Sequence, residues 1–161
     1  LKFLGDTPAE TIADLGRTLR EWLNQSRAFD LRCTGRWLLF PGPRRPRVLA
    51  AEIAPNPALL DLADRVESAC RSLDFDAEPR PFRPHVTVGR FKFKGRPPRL
   101  DADHAQALNP APALTSHADR ALLFSSELTR EGPIHTVAET IPLAAPADAA
   151  ASASSPPPSA L

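Results

Sequence analysis

The chain has 161 residues, 42% of them hydrophobic and 24% charged, with 19 prolines, which is material for one compact domain and too little for two ordinary ones. Apolar runs such as Trp37-Leu38-Leu39-Phe40 are far shorter than the ~18 to 20 residues of a membrane-spanning helix, and no charged-then-apolar signal peptide opens the chain, so neither membrane insertion nor secretion is expected. The 20 Lys and Arg nearly balance 19 Asp and Glu, which excludes a uniformly basic nucleic-acid coat, while Cys33 and Cys70 lack the spacing of a disulfide framework or zinc module and point to reduced thiols in the cytoplasm.

No methionine is present, and Leu1-Lys2-Phe3-Leu4-Gly5 has the character of the middle of an element, so the N-terminus is expected to be incomplete and Leu1 to Leu4 to be the end of a strand. Thr7-Pro8-Ala9-Glu10 combines a capping-box Thr and Glu with Pro at the first helical position, and Ile12, Leu15, Leu19, Trp22 and Leu23 then recur at helical spacing. Phe29, Leu31 and Cys33 alternate with polar residues, and Arg36 to Phe40 continues with aromatic and aliphatic ones, which predicts two strands. The Pro41 to Pro46 segment cannot join a ladder and forms a turn before a third strand from Arg47 to Ile53. Asn56-Pro57 opens a second helix running to about Leu73, with Leu59, Leu62, Ala63, Val66 and Cys70 on one face.

Downstream, a proline-punctuated loop delivers a strand from His85 to about Phe91, followed by a short helical stretch near Asp103 to Leu108 and strands near Ala121 to Leu128 and Ile134 to Ile141. Ala144 to Leu161 holds eight Ala, four Pro and four Ser among eighteen residues and cannot offset its ordering entropy, so it is expected to be a disordered tail after a folded unit of residues 1–143. Strands interleaved with too few crossovers for a doubly wound sheet predict an α+β protein with mostly antiparallel pairing.

Reactive side chains and strand geometry coincide in His85-Val86-Thr87-Val88, because residues i and i+2 of a strand share a face. His85 and Thr87 are expected to look into a cleft and the two valines to pack in the core. From Arg80 to Arg99 there are seven cations and no acid, interleaved with Phe82, Phe91 and Phe93, which suits a phosphate-bearing ligand with bases to stack, although a solvated charged face has the same composition. Strict parity puts Arg90 opposite His85, and a bulge at Gly89 would re-aim it.

Phe82-Arg83-Pro84-His85-Val86-Thr87-Val88-Gly89-Arg90 resembles the second HxTx motif of the RNA 2',3'-cyclic phosphodiesterases, the LigT-like members of the two-histidine phosphoesterase superfamily. Leu1-Lys2-Phe3-Leu4-Gly5-Asp6 is similar to the continuation of the first motif, which would place the first histidine and threonine just before Leu1. Trp37 and its surroundings, and Phe124 to Leu128 with Gly132 to Thr136, are similar to further family segments, with His135 standing where a tyrosine is usual. The resemblance implies a two-lobed, duplicated β-α-β arrangement whose mostly antiparallel sheets face a central cleft. It also implies metal-independent, cofactor-free hydrolysis of RNA or nucleotide 2',3'-cyclic ends to 2'-phosphomonoesters by a monomeric cytoplasmic enzyme, with ligation of tRNA halves as the reverse activity.

In-line displacement at phosphorus requires proton transfers at two separate places, which explains a histidine pair. By resemblance His85 is the general base, Thr87 hydrogen-bonds a non-bridging oxygen and Arg90 neutralises the growing charge, although the residues alone do not distinguish base from acid. Two alternatives stay open: a sister phosphoesterase acting on other cyclic or 2',5'-linked nucleotides, and a non-catalytic RNA-binding remnant. His104, His117 and His135 are expected to be structural, and Arg44, Arg45 and Arg47 to form a charged turn.

Overall fold

The computed structural model describes residues 1–93, 113–130 and 132–145. Its elements are α1 (Ala9–Leu23), β1 (Phe29–Phe40), β2 (Val48–Ile53), α2 (Pro57–Arg71), β3 (His85–Arg90), β4 (Thr115–Ala118), β5 (Arg120–Leu128) and β6 (Pro133–Pro142). This is an α+β fold with mostly antiparallel pairing and two helices, as expected, and it divides into two compact units. The expected helix near Asp103 to Leu108, and the tail beyond Ala145, lie outside the described residues. No helix among those described is long and apolar enough to cross a membrane.

The helical unit comprises residues 1–29, 57–81 and the chain from Ala118 onward. Helix α1 buries Leu15, Leu19 and Leu23, and α2 buries Leu59, Leu62, Ala63, Val66, Ala69 and Cys70. These faces join Leu123 of β5 and Ile141 of β6 in one apolar cluster, the burial that the 3.6-residue periodicity calls for. Gly16 lets Glu139 of β6 lie close against α1, where the carboxylate meets Arg20 at 2.5 Å. Trp22, expected on the apolar face, is 40% exposed because it lies at the margin of the stripe.

The α1 start differs from the capping-box expectation. Pro8, with φ −57° and ψ 143°, is the N-cap and its carbonyl accepts from Thr11 N–H, whereas the Thr7 hydroxyl turns back to the Gly5 carbonyl. Helix α2 stops two residues earlier than expected. Asp74 adopts φ 62°, and the N–H groups of Phe75 and Asp74 close onto the Cys70 and Arg71 carbonyls, satisfying the helix's last acceptors. Leu1 to Leu4 is irregular rather than the end of a strand. Lys2 ties this segment down through Glu67 and the Asp76 carbonyl, each at 2.7 Å. Ala144 pairs with residues 26–28 through two backbone hydrogen bonds, so ordered pairing continues just past Leu143.

The strand unit, residues 30–56 and 82–117, holds a four-stranded sheet in the order β3-β2-β1-β4. The two strands expected between Phe29 and Phe40 are one, interrupted by an irregularity between Cys33 and Trp37 where Gly35 takes φ 81°. Strand β4, Thr-Ser-His-Ala, carries no apolar alternation and went unforeseen. Val86 and Val88 are 51% and 57% exposed and do not pack in a core as expected, because β3 is an edge strand.

Candidate functional site

The site is built on β3 and its pairing with β2. Ala51 faces Val86, Ala50 faces Thr87, Leu49 faces Gly89 and Val48 faces Arg90, so β3 has one residue more than β2 between Thr87 and Gly89. Val88 is that extra residue, a bulge beside the glycine where one was expected. Directly paired residues share a sheet face. Glu52, Ala50 and Val48 alternate onto one face of β2, and their partners His85, Thr87 and Arg90 therefore lie together on that face. The bulge removes the parity conflict that kept Arg90 away from His85.

The His85 ring is held from two directions. Its Nδ1 lies 2.7 Å from the Arg83 carbonyl oxygen, and because a carbonyl only accepts, Nδ1 carries the proton. In the neutral ring this leaves the lone pair on Nε2, the form a general base needs. Phe40 of β1 packs at 4.8 Å between ring centroids, tilted 45°. The Arg83 guanidinium sits over the other aromatic of this set, 5.9 Å from the Phe40 centroid, and its Nη2 donates to Glu52 at 3.4 Å.

Glu52 is the carboxylate that gathers these groups. Thr34 Oγ1 donates to its Oε2 at 2.9 Å, and Arg36 Nε approaches to 3.5 Å, both from the irregular part of β1. Burial alone would push the carboxyl pKa up, but the hydrogen bonds from Thr34 and Arg83 and the charges of Arg36 and Arg83 outweigh it and hold the group below the usual carboxylate range. It is thus an anion at neutral pH, fixing Arg83, whose own carbonyl fixes His85.

The sequence singles out His85, Thr87 and Arg90, which the structure brings to one sheet face, and it does not single out Phe40, Glu52 and Arg83, which pack or hydrogen-bond around His85. Arg83 was visible only as a link in the motif, and Phe40 and Glu52 carry no local signal, since cross-strand register alone brings them to His85. The other described histidines, His117 and His135, have side-chain partners of their own. His117 Nδ1 lies 2.9 Å from Asp30, and His135 Nδ1 lies 2.7 Å from the hydroxyl of Ser126, its partner across β5 and β6; His104 lies outside the described residues. Among the described residues no three His, Cys, Asp or Glu converge as a metal site.

Residues 52–135 match the family described as LigT like Phosphoesterase. The chain is 30% identical over 146 residues to an RNA 2',3'-cyclic phosphodiesterase of Geobacillus stearothermophilus, covering 91% of this chain and 45% of that protein. It is 29% identical over 136 residues to one of Aeropyrum pernix, covering 84% and 75%. It therefore spans less than half the length of the first relative and three quarters of the second. Among solved structures, a Thermus thermophilus protein superposes with a TM-score of 0.70 at 27% identity, over 88% of this chain and 74% of that one. Escherichia coli LigT, crystallised with 3'-AMP, superposes with a TM-score of 0.66 at 20% identity over the same shares, a likeness of fold.

Proposed function

The chain belongs to the LigT-like phosphoesterase family, and on that footing we propose that it opens 2',3'-cyclic phosphodiester ends of RNA or nucleotides to 2'-phosphomonoesters, with His85 as the proton acceptor. The observation that carries this reading is the bulge at Val88, through which His85, Thr87 and Arg90 share one sheet face.

Hydrolysis adds water across one P–O bond. His85 Nε2 takes a proton from the attacking water as the new P–O bond forms, and the bond to the ribose 3' oxygen breaks on the opposite side of phosphorus. Thr87 donates to a non-bridging oxygen, and the Arg90 guanidinium offers a planar fork to the charge that grows on these oxygens. The departing 3' oxygen must receive a proton from a second group, the role that the family resemblance gives to a first-motif histidine. The 2' oxygen keeps the phosphate. This acid-base route employs neither metal nor cofactor.

Phosphorus NMR of a nucleoside 2',3'-cyclic phosphate incubated with the protein as its gene encodes it tests the reading. The cyclic resonance should give way to that of a 2'-phosphomonoester, and the His85→Ala variant should leave it in place. A 3'-phosphomonoester product, or unchanged turnover by His85→Ala, would overturn the assignment.

A further inference from the structure

Beyond the catalytic face the same end of the strand unit carries a second array of cations. The hairpin linking β1 to β2 holds Arg44, Arg45 and Arg47, all exposed. Pro41 and Pro43 restrict its backbone, and Pro46 is fully buried beneath it. The Phe40 carbonyl accepts from Arg47 N–H at 2.7 Å, and the Arg47 carbonyl accepts from Phe91 N–H at 2.9 Å, so the turn is stitched to the strand that carries Arg90 and leads on to Lys92. An open hollow of about 450 Å³ is lined by Pro41, Gly42, Pro43, Arg44 and Arg45.

The sequence contains no acid between Arg36 and Ala51 or between Arg80 and Arg99. None of Arg44, Arg45, Arg47 and Arg90 has a carboxylate partner among the described residues, in contrast to Arg36 and Arg83, which share Glu52. A guanidinium with no carboxylate partner has no ion pair to give up on meeting an anion, and the prolines limit the backbone ordering that binding would otherwise require. The position of this turn matters as well. From the rung of Glu52 and His85 to that of Val48 and Arg90 is four residues of β2, roughly 13 Å at the rise of a strand. The turn follows Phe40, which pairs with Val48 on that rung, so its cations continue the positive surface of Arg90 away from the His85 rung. Phe91 and Phe93, half-buried and stacked at 5.6 Å with 7° between their planes, adjoin it and offer an apolar surface to a base.

We propose that the Pro41 to Arg47 turn, with Lys92, tracks the backbone phosphates of the RNA strand leading into the reactive end, so that the protein acts on oligonucleotide ends in preference to mononucleoside cyclic phosphates. The proposal rests on the function assigned above. The two fail separately, because strand binding is measurable without turnover.

The test compares the protein with an Arg44→Gln/Arg45→Gln/Arg47→Gln variant, with Arg17→Gln/Arg71→Gln, exposed positions on the two helices, as the charge-loss control. Fluorescence anisotropy with a labelled ten-nucleotide single-stranded RNA ending in a 2'-phosphate, read across a salt series, reports strand binding. At low salt the triple variant should bind about tenfold or more weakly, and its dependence of log K on log salt should be shallower by about 2, near 0.7 for each phosphate no longer neutralised, while the control keeps the parent slope. If cyclic-end hydrolysis is observed, kcat/KM on the RNA should fall with binding and kcat/KM on a nucleoside 2',3'-cyclic phosphate should not. Unchanged RNA affinity and salt slope in the triple variant, equal losses in the control, or equal losses of kcat/KM on RNA and mononucleotide would each overturn the proposal. Absence of hydrolysis with the predicted binding losses would refute the enzymatic reading and leave the strand-tracking surface standing.

Discussion

Each unit has a glutamate whose carboxyl is held below the usual range by hydrogen bonds and nearby positive charge, against the opposing effect of burial, and the two are put to different uses. In the helical unit, Glu67 accepts from Lys2 at 2.7 Å and from Glu78 N–H at 3.0 Å, tying irregular segments onto α2. In the strand unit, Glu52 accepts from Thr34 and Arg83 and thereby steadies the residue whose carbonyl orients His85. The helical unit also buries the apolar faces of two helices in a continuous cluster, whereas β3 leaves most of its side chains in solvent. Similar pairings therefore carry different meanings: what matters is whether the partner fixes a segment of chain or the direction of the ring proposed as the proton acceptor.

The contrast is broken most forcefully by His85→Ala. Removal of a general base should lower turnover of a cyclic nucleotide by roughly 10² to 10⁴ and leave thermal unfolding almost unchanged, since the ring belongs to an exposed edge strand. Leu23→Ala should do the reverse. Leu23 is fully buried in the helical cluster, so the substitution should cost about 2 to 5 kcal/mol in urea unfolding. A loss of stability from His85→Ala as large as that from Leu23→Ala would erase the distinction.

How far the two regions could be foreseen differs for the same physical reason. Helical periodicity is local, and Ile12, Leu15 and Leu19, or Leu59, Leu62 and Val66, announce buried faces before any partner is known. His85-Val86-Thr87 announces a strand with polar groups on one face, and Gly89 announces a place for a bulge. The support for His85 is written nowhere nearby. Phe40 and Glu52 reach it through pairing among β1, β2 and β3, and no pattern within either segment encodes that meeting. Thr7 fulfils the capping pattern and yet Pro8 caps α1, while β4 has a polar composition that strand propensity does not detect.

Smaller effects are expected at the chain's end and around the two glutamates. Deleting residues 146–161 should leave the melting temperature nearly unchanged, whereas deletion from Ala144 also removes its two backbone hydrogen bonds and should cost about 1 to 3 kcal/mol. Calorimetry of the two truncations separates these outcomes, and equal melting temperatures would show that the Ala144 pairing contributes nothing. Glu52→Gln, acting through Arg83, should reduce kcat by about tenfold with KM little changed, and Glu67→Gln should not alter kcat. Steady-state kinetics of both variants would expose an error if their kcat values fell alike.

The smallest effect is one of pH. The hydrogen bond from Lys2 dominates in lowering the Glu67 pKa, so its stabilising contribution is fully present above the ordinary value of 4.5 and is lost as pH falls through the lower folded value. The stability gap between the protein and Glu67→Gln, about 1 kcal/mol at neutral pH, should close in acid. Denaturant titrations down to about pH 3 would contradict this if the gap stayed constant.

If His85 offers Nε2 to a phosphate on the face it shares with Thr87 and Arg90, long-range proton-nitrogen NMR of the histidine rings will report it. Near neutral pH, neutral His85 should be protonated at Nδ1, and addition of a nucleoside 2'-phosphate should shift its Nε2 resonance strongly, a response reduced in Arg90→Gln and absent from His117. An Nε2-protonated His85 that ignores the nucleotide, or one whose response is the same without Arg90, would contradict the account.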